Sequence, residues 1–289
     1  MPQSVERSAF AKVNLFLDVL GRRPDDYHTL LTLFERINLK DELTLEKRPV
    51  PGITLTCDDP SLSAGEDNLI VQAVRGYLAL LGQEDEGIGI TLKKRIPMGA
   101  GLGGGSSNAA AALLGLQDLF GNPLPKTQLI PLAQKLGADV PFFLADIPWG
   151  LGQDRGDVIE PLDLPGRWVH LLVRPPFSIP TGQIYSVLSL TGVHPDVTLL
   201  TQALKTGEVS RVQALLYNAL EPAVDALFPD VLKIRETLRA VGLKKPMVSG
   251  SGSVVFSVCA DEAEALCALE MLEGKRSEGW RFFVSTTQV

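Results

Sequence analysis

Residues 97–116 read PMGAGLGGGSSNAAAALLGL. Five glycines crowd into the seven positions from Gly99 to Gly105, and a sixth follows at Gly115. Glycine costs conformational entropy on folding, so a loop this rich in it implies that something comes very close to its backbone. Successive N–H groups in such a turn converge on an anion. A helix starting at Ser106 adds its positive end at the same point. Ser106 and Ser107 either cap that helix or donate to phosphate oxygens. A plain turn with a capping serine is the simpler alternative, but five glycines exceed what a cap needs. The alanines that follow fit close helix packing and ordinary helix propensity equally well.

Two other phosphate-binding signatures fit poorly. The P-loop needs a lysine ahead of Ser or Thr, whereas these serines follow glycine. The dinucleotide spacing GxGxxG is present at Gly99, Gly101 and Gly104. It requires an acidic residue about 20 positions on, at the end of the next strand. That position is Leu119, beside Asp118, within a predicted helix. A nicotinamide-dependent oxidoreductase is therefore disfavoured.

Working outward, GIGITLKKRIPM (87–98) predicts the strand that delivers the loop, and SSNAAAALLGLQDLFGN (106–122) the helix that leaves it. Upstream, AFAKVNLFLDVL (9–20) alternates: Val13, Leu15, Leu17 and Val19 share one face, and Lys12, Asn14, Phe16 and Asp18 the other. Residues 30–48 predict two strands, LLTLFERINL and ELTLEKR, joined by a tight turn at Lys40-Asp41. GITLTC (52–57) predicts a further strand, and NLIVQAVRGYLALLG (68–82) a helix closed by Gly82. Downstream, TQLIPLAQKLG (127–137) reads as a helix, and WVHLLVRPP (168–176) as a strand. Residues 181–242 are mostly helical in pattern, with VSRVQALLYNALEPAV (209–224) as one helix. Then come PMVSGSGSVVFSVC (strand, glycine loop, strand), a helix over 262–272 and a final strand, WRFFVST. Strands and helices mix without strict alternation, which implies an α+β chain. Gly and Pro cluster near 155–165, dividing it into residues 1–160 and 161–289.

The chain of 289 residues carries a net charge of −7, which argues against a general nucleic-acid binder. No apolar run approaches the length needed to span a bilayer, and Lys12, Asn14 and Asp18 interrupt any signal-peptide core. Cys57, Cys259 and Cys267 form neither a disulfide framework nor a zinc pattern, and read as buried, reduced thiols. A cytoplasmic protein without membrane or nucleic-acid partners is expected. His170 and His194 have no metal or triad spacing and read as structural.

At Pro97-Met98-Gly99-Ala100-Gly101-Leu102-Gly103-Gly104-Gly105-Ser106-Ser107 the chain closely resembles the GHMP kinases. Ser249-Gly250-Ser251-Gly252-Ser253, ahead of VVF, matches a second glycine motif of that family. AKVNLFLDVLGRRPDDYHTL (11–30) and LGADVPFF (136–143) narrow the resemblance to the branch that phosphorylates a cytidyl alcohol in the non-mevalonate route to isoprenoids. The resemblance covers essentially the whole chain. It implies a ribosomal-S5-like N-terminal domain and a ferredoxin-like C-terminal domain, with ATP and substrate in the cleft between them. It implies ATP as co-substrate, with Mg²⁺ carried on the ATP. Several GHMP kinases hold Mg²⁺ with a glutamate, but Glu66, Glu84 and Glu86 offer no clear equivalent. No protein metal ligand is assigned. A monomer or weak homodimer is expected.

The resemblance also assigns roles, and each has a plainer alternative. Lys12 and Asn14 share one strand face. Pattern alone reads that face as solvated, whereas the family places the lysine beside the catalytic aspartate and the accepting hydroxyl, and Asn14 on the substrate. Asp139, ahead of Val140-Pro141, reads equally as a helix N-cap; the family makes it the general base. Tyr27 and His28 are by pattern ordinary loop residues, but in the family they hold the cytosine, with Tyr185 closing its other face. Thr181, Gly250, Ser251 and Gly252 fall on the substrate side. Asn68, otherwise a helix cap, and Lys94, otherwise a strand-end charge, fall on the nucleotide side. Pro97, Gly99, Gly101, Gly103, Gly104, Gly105, Ser106 and Ser107 form the ATP loop. Two rival readings are another GHMP kinase, such as a mevalonate or homoserine kinase, and a nucleotide-sensing protein that kept the fold and lost the chemistry. Intact Lys12 and Asp139 argue against the second.

Overall fold

The computed structural model describes residues 2–190 and 192–289. Its frame is a long antiparallel pair, β1 (Ser4–Arg22) and β2 (His28–Arg48), with Val13 opposite Glu35 and Lys12 opposite Arg36. β2 runs unbroken through Lys40-Asp41, so the predicted turn is absent. Phe10 pairs with Lys40 and Ala11 with Ile37, and Asn38 and Leu39 bulge between them. The bulge takes the extra residues, and Asp41 is fully buried rather than exposed at a turn.

β3 (Gly52–Cys57), α1 (Leu69–Leu81) and β4 (Gly87–Lys93) follow, with β3 parallel to β4 and α1 as the crossover. α1 closes at Gly82 in the left-handed region, as its sequence predicts. α2 (Gly104–Phe120), α3 (Lys126–Leu136) and α4 (Val140–Leu144) come next. Ala109, Ala110, Ala111 and Ala112 are buried in one core with Leu43, Leu45, Ile88 and Ile90 of the sheet. A Cβ on Gly115 would lie 2.6 Å from Leu45 Cδ1. The small residues of α2 therefore serve close packing as well as propensity.

β5 (Trp149–Gln153) and β6 (Val158–Pro161) form a hairpin joined to β2 through Thr32–Glu35. Its glycines hide the strand pattern in the sequence. β7 (Val169–Arg174), α5 (Thr181–Ser186), α6 (Val197–Thr206), α7 (Val209–Leu215), β8 (Tyr217–Asn218) and α8 (Glu221–Leu227) complete the middle of the chain. The single helix expected over 209–224 is broken at β8. There Tyr217 and Asn218 pair parallel with Phe16 and Leu17, and Ala219 N–H donates to Leu17 O at 2.8 Å. Tertiary pairing overrides helix propensity at that point. α9 (Pro229–Ala240), β9 (Met247–Val248), β10 (Val255–Cys259), α10 (Glu262–Leu272) and β11 (Arg281–Thr286) end the chain.

The first sheet runs β3-β4-β2-β1-β8 with the β5–β6 hairpin beside β2, and the second runs β11-β7-β10-β9. Residues of both halves share two apolar cores, as where Leu15 and Phe16 join Val197 and Phe256. Cys259 is buried, Cys57 partly so, and Cys267 is exposed on α10, contrary to the expectation of three buried thiols. Among the described residues no helix is long and apolar enough to cross a membrane.

Candidate active site

A cleft of about 1010 Å³ opens between the two halves. That lies at the upper end of the usual range for ligand pockets, roughly 300–1,000 Å³. Its floor is β1, and two glycine loops face each other across it. In the first, Gly99, Gly101 and Gly103 adopt φ of 59°, 77° and 69°. α2 begins at Gly104, two residues before the predicted start, with Gly103 as its N-cap and no side-chain cap. Ser106 therefore sits in the first turn and lines the cleft. Ser107 is buried and is the one predicted site residue absent from its walls.

In the second loop, Gly250 and Gly252 have φ of 57° and 86°. The loops are locked together: Ser249 Oγ donates to Gly101 O at 2.9 Å, and Val254 N–H to Ala100 O at 3.1 Å. A Cβ at Gly101 would fall 2.0 Å from Ser249 O. Gly101→Ala is expected to lower the melting temperature sharply and abolish ATP-dependent turnover. At Gly105 a Cβ would meet only Leu69 Cδ1 at 3.6 Å, so Gly105→Ala is expected to keep the melting temperature. A thermal melt beside a turnover assay checks both.

Lys12 lies between the loops. Its backbone N–H donates to Leu102 O at 3.0 Å, and its Nζ to Asn14 Oδ1 at 2.5 Å. Nζ stands 3.6 Å from Asp139 Oδ2 and 3.5 Å from where a Cβ on Gly250 would be. Asn14 is oriented in turn, donating from Nδ2 to Thr32 Oγ1 at 2.8 Å. Burial pushes the Lys12 ammonium below the usual lysine range, and the Asp139 carboxylate pulls it partly back. Asp139 stands at the head of α4, yet its side chain makes no capping hydrogen bond. The N-cap alternative therefore does not account for it. Its carboxylate is free to face the cleft.

At one end of the cleft His28 and Tyr185 lie with ring centroids 5.0 Å apart. Burial, then Arg22, lowers the His28 pKa, so its imidazole is neutral at pH 7. Burial and the nearby Asp139 raise that of Tyr185, whose phenol keeps its proton. Tyr27 is 57% exposed, with the Arg155 guanidinium carbon 5.3 Å from its ring centroid. Thr181 Oγ1 and Ser251 Oγ lie 2.8 Å apart. At the other end Asn68 caps α1, accepting from Ile70 N–H at 2.8 Å, and also lines the cleft beside Leu62, Leu69 and Leu92. Pro97 lines this side too. Lys94 lines the wall with its charge already paired, Nζ to Asp41 Oδ2 at 2.8 Å. Its neighbour Arg95 points outward to Asp58.

Three contributors escaped the sequence reading. Arg155 lies on the glycine-rich hairpin. Asn218 donates from Nδ2 to Val248 O and Gly250 O, both at 2.8 Å, and so holds the second loop. Asp41 sits under the first loop. A lone Asn within the apolar run ALLYNAL was the only signal for Asn218.

Residues 68–146 match the GHMP kinases N terminal domain, and residues 200–275 the GHMP kinases C terminal domain. A 4-diphosphocytidyl-2-C-methyl-D-erythritol kinase from a Geobacter species is 41% identical over 271 residues, covering 93% of this chain and 94% of that protein. The chain belongs to the GHMP kinases, among the 4-diphosphocytidyl-2-C-methyl-D-erythritol kinases. A crystal structure of 4-(cytidine 5'-diphospho)-2C-methyl-D-erythritol kinase superposes on this GHMP kinase with a TM-score of 0.83, at 38% identity and 98% coverage of both chains. Homoserine kinase from Cytophaga hutchinsonii shares the fold, with a TM-score of 0.74 at 20% identity over 100% of this chain and 96% of that one. The α+β, two-part GHMP architecture expected from the sequence is thus the one present. As a GHMP kinase the chain is an ATP-dependent small-molecule kinase.

Proposed function

We propose that this kinase transfers the γ-phosphoryl group of ATP to the 2-hydroxyl of 4-diphosphocytidyl-2-C-methyl-D-erythritol, in the non-mevalonate route to isoprenoids. The observation that carries the reading is the Lys12–Asp139 pair, 3.6 Å apart, between two glycine loops in one cleft. On this reading ATP lies along Gly99–Ser106 with its base against the apolar wall near Asn68. The positive end of α2 faces its phosphates. The cytosine lies among Tyr27, His28 and Tyr185, and Thr181 and residues 250–252 face the substrate's phosphates.

Asp139 takes the hydroxyl proton as the oxygen attacks the γ-phosphorus. The bond from that phosphorus to the β-phosphate oxygen breaks, and ADP leaves. Lys12 stabilises charge on the entering oxygen. Carried on ATP, Mg²⁺ would supply neutralisation of phosphate charge. The Ser106 hydroxyl, on the cleft wall, is an oxygen donor that would suit so hard a cation.

The test is ADP release from Mg-ATP with the cytidyl alcohol, mevalonate, homoserine or no acceptor. Release with the cytidyl alcohol alone is expected. Release with mevalonate or homoserine instead would reassign the acceptor. No release at all, in protein that binds ATP, would favour a nucleotide sensor.

A further inference from the structure

We infer that Asp41 is a positioning residue for the nucleotide, fixing the phosphate loop from beneath by tying its two flanks to one carboxylate. The inference rests on reading the first glycine loop as the ATP site. Asp41 lies on β2 and is fully buried. Its Oδ1 accepts the backbone N–H of Arg95 at 2.6 Å and of Ile96 at 2.8 Å. Its Oδ2 accepts Lys94 Nζ at 2.8 Å and Asn108 Nδ2 at 3.0 Å. Four donors fill the capacity of one carboxylate.

Those donors come from both sides of the loop. Residues 94–96 lead into Pro97, and Asn108 lies in the second turn of α2, just past Ser106. The glycines between have no side chains to hold their shape; the second loop and β1 hold the carbonyls of Ala100, Gly101 and Leu102, and Asp41 holds the two flanks. Lys94 extends the anchor: its Nζ also donates to Ile96 O and lies 3.3 Å from where a Cβ on Gly104 would be. The ammonium thus sits under the first residue of α2, its charge matched by Asp41. That leaves the loop's own N–H groups as the anion site. Stability alone is a weak reason for such a cluster, because a buried ion pair can often be replaced by apolar residues without loss. Its value here is geometric.

The experiment is Asp41→Asn, assayed with Mg-ATP and the cytidyl alcohol, with Mg-ATP binding measured separately by calorimetry in the absence of acceptor. The new amide turns a donor toward Lys94 and Asn108, and the clamp opens on that side. The KM for Mg-ATP and its Kd are expected to rise roughly tenfold or more. The KM for the cytidyl alcohol is expected to stay within about twofold. A lower melting temperature with neither KM moved, or equal shifts in both, would overturn the positioning role. If Asp41→Asn does not fold, the charge-neutral pair Asp41→Asn with Lys94→Met is measured instead, with the same split expected. Wild-type enzyme that gives no heat with Mg-ATP would overturn the nucleotide reading itself, and this inference with it. Wild type and variant binding equally well would overturn Asp41 alone.

Discussion

Asp139→Asn is expected to lower kcat by about 10²–10⁴-fold while the KM for Mg-ATP stays within a few-fold, since a positioned general base contributes about that much. The amide nearly matches the carboxylate in shape, so the site keeps its walls. The helix behind it loses nothing, because the Asp139 side chain does not cap α4. The variant removes the proposed proton acceptor, and it also removes the anion 3.6 Å from Lys12 Nζ. That anion is what holds the Lys12 pKa up against burial, so Lys12 in the variant loses its proton at a lower pH. The alkaline limb of the remaining activity is therefore expected to move toward neutral pH. A pH–rate profile of both enzymes checks the shift. Equal loss of turnover and ATP affinity would show that Asp139 holds the nucleotide instead.

The sequence discloses those parts of the site that are local. The glycine loops can be read because their unusual backbone angles demand a residue type, as at Gly101 and Gly250. Alternation places Lys12 and Asn14 on one face, but pattern alone reads that face as solvated, whereas both are buried; only the family resemblance points to their role. The boundary of α2 is misread by two residues, because Ser106 looks like a cap and Gly103 takes that place in the left-handed region. Asp41 and Asn218 are misread for a different reason. Each is a polar residue whose loop-holding partners lie 30 to 67 positions away, on backbone groups or side chains that no local pattern exposes. Lys40-Asp41 resembles a turn in isolation; it is regular strand opposite Phe10 and Ala9, next to the bulge at Asn38 and Leu39, with Asp41 buried against residues 94–96.

Lys12→Met separates catalysis from stability. Its kcat is expected to fall about 10²–10³-fold, the usual cost of losing one donor aimed at developing charge. The KM for both substrates is expected to rise as well, unlike Asp139→Asn, because Lys12 reaches both loops: its Cε lies 3.2 Å from a Cβ position on Gly103, and its Nζ 3.5 Å from that on Gly250. Stability follows a different sign. The folded-state pKa of Lys12 is depressed, so between that value and the ordinary lysine range the unfolded chain binds more protons than the folded one. Wild-type stability therefore rises with pH across that window, and the buried charge is a net cost below it. Methionine removes the cost and keeps the volume against Phe34, whose ring centroid is 5.6 Å from Nζ. It leaves Asn14 Oδ1 without its donor, a loss of about 1 kcal/mol. Asp139, 32% exposed, stays hydrated without its partner. The variant should accordingly melt close to wild type at pH 7 and lose the alkaline rise in stability. A charge kept at a net cost to the fold, between two glycine loops, is what the proposed reaction calls for. Melting curves at pH 7 and across the alkaline range, set beside the kinetics, test that directly: a variant far less stable than wild type at pH 7 would make Lys12 a structural residue.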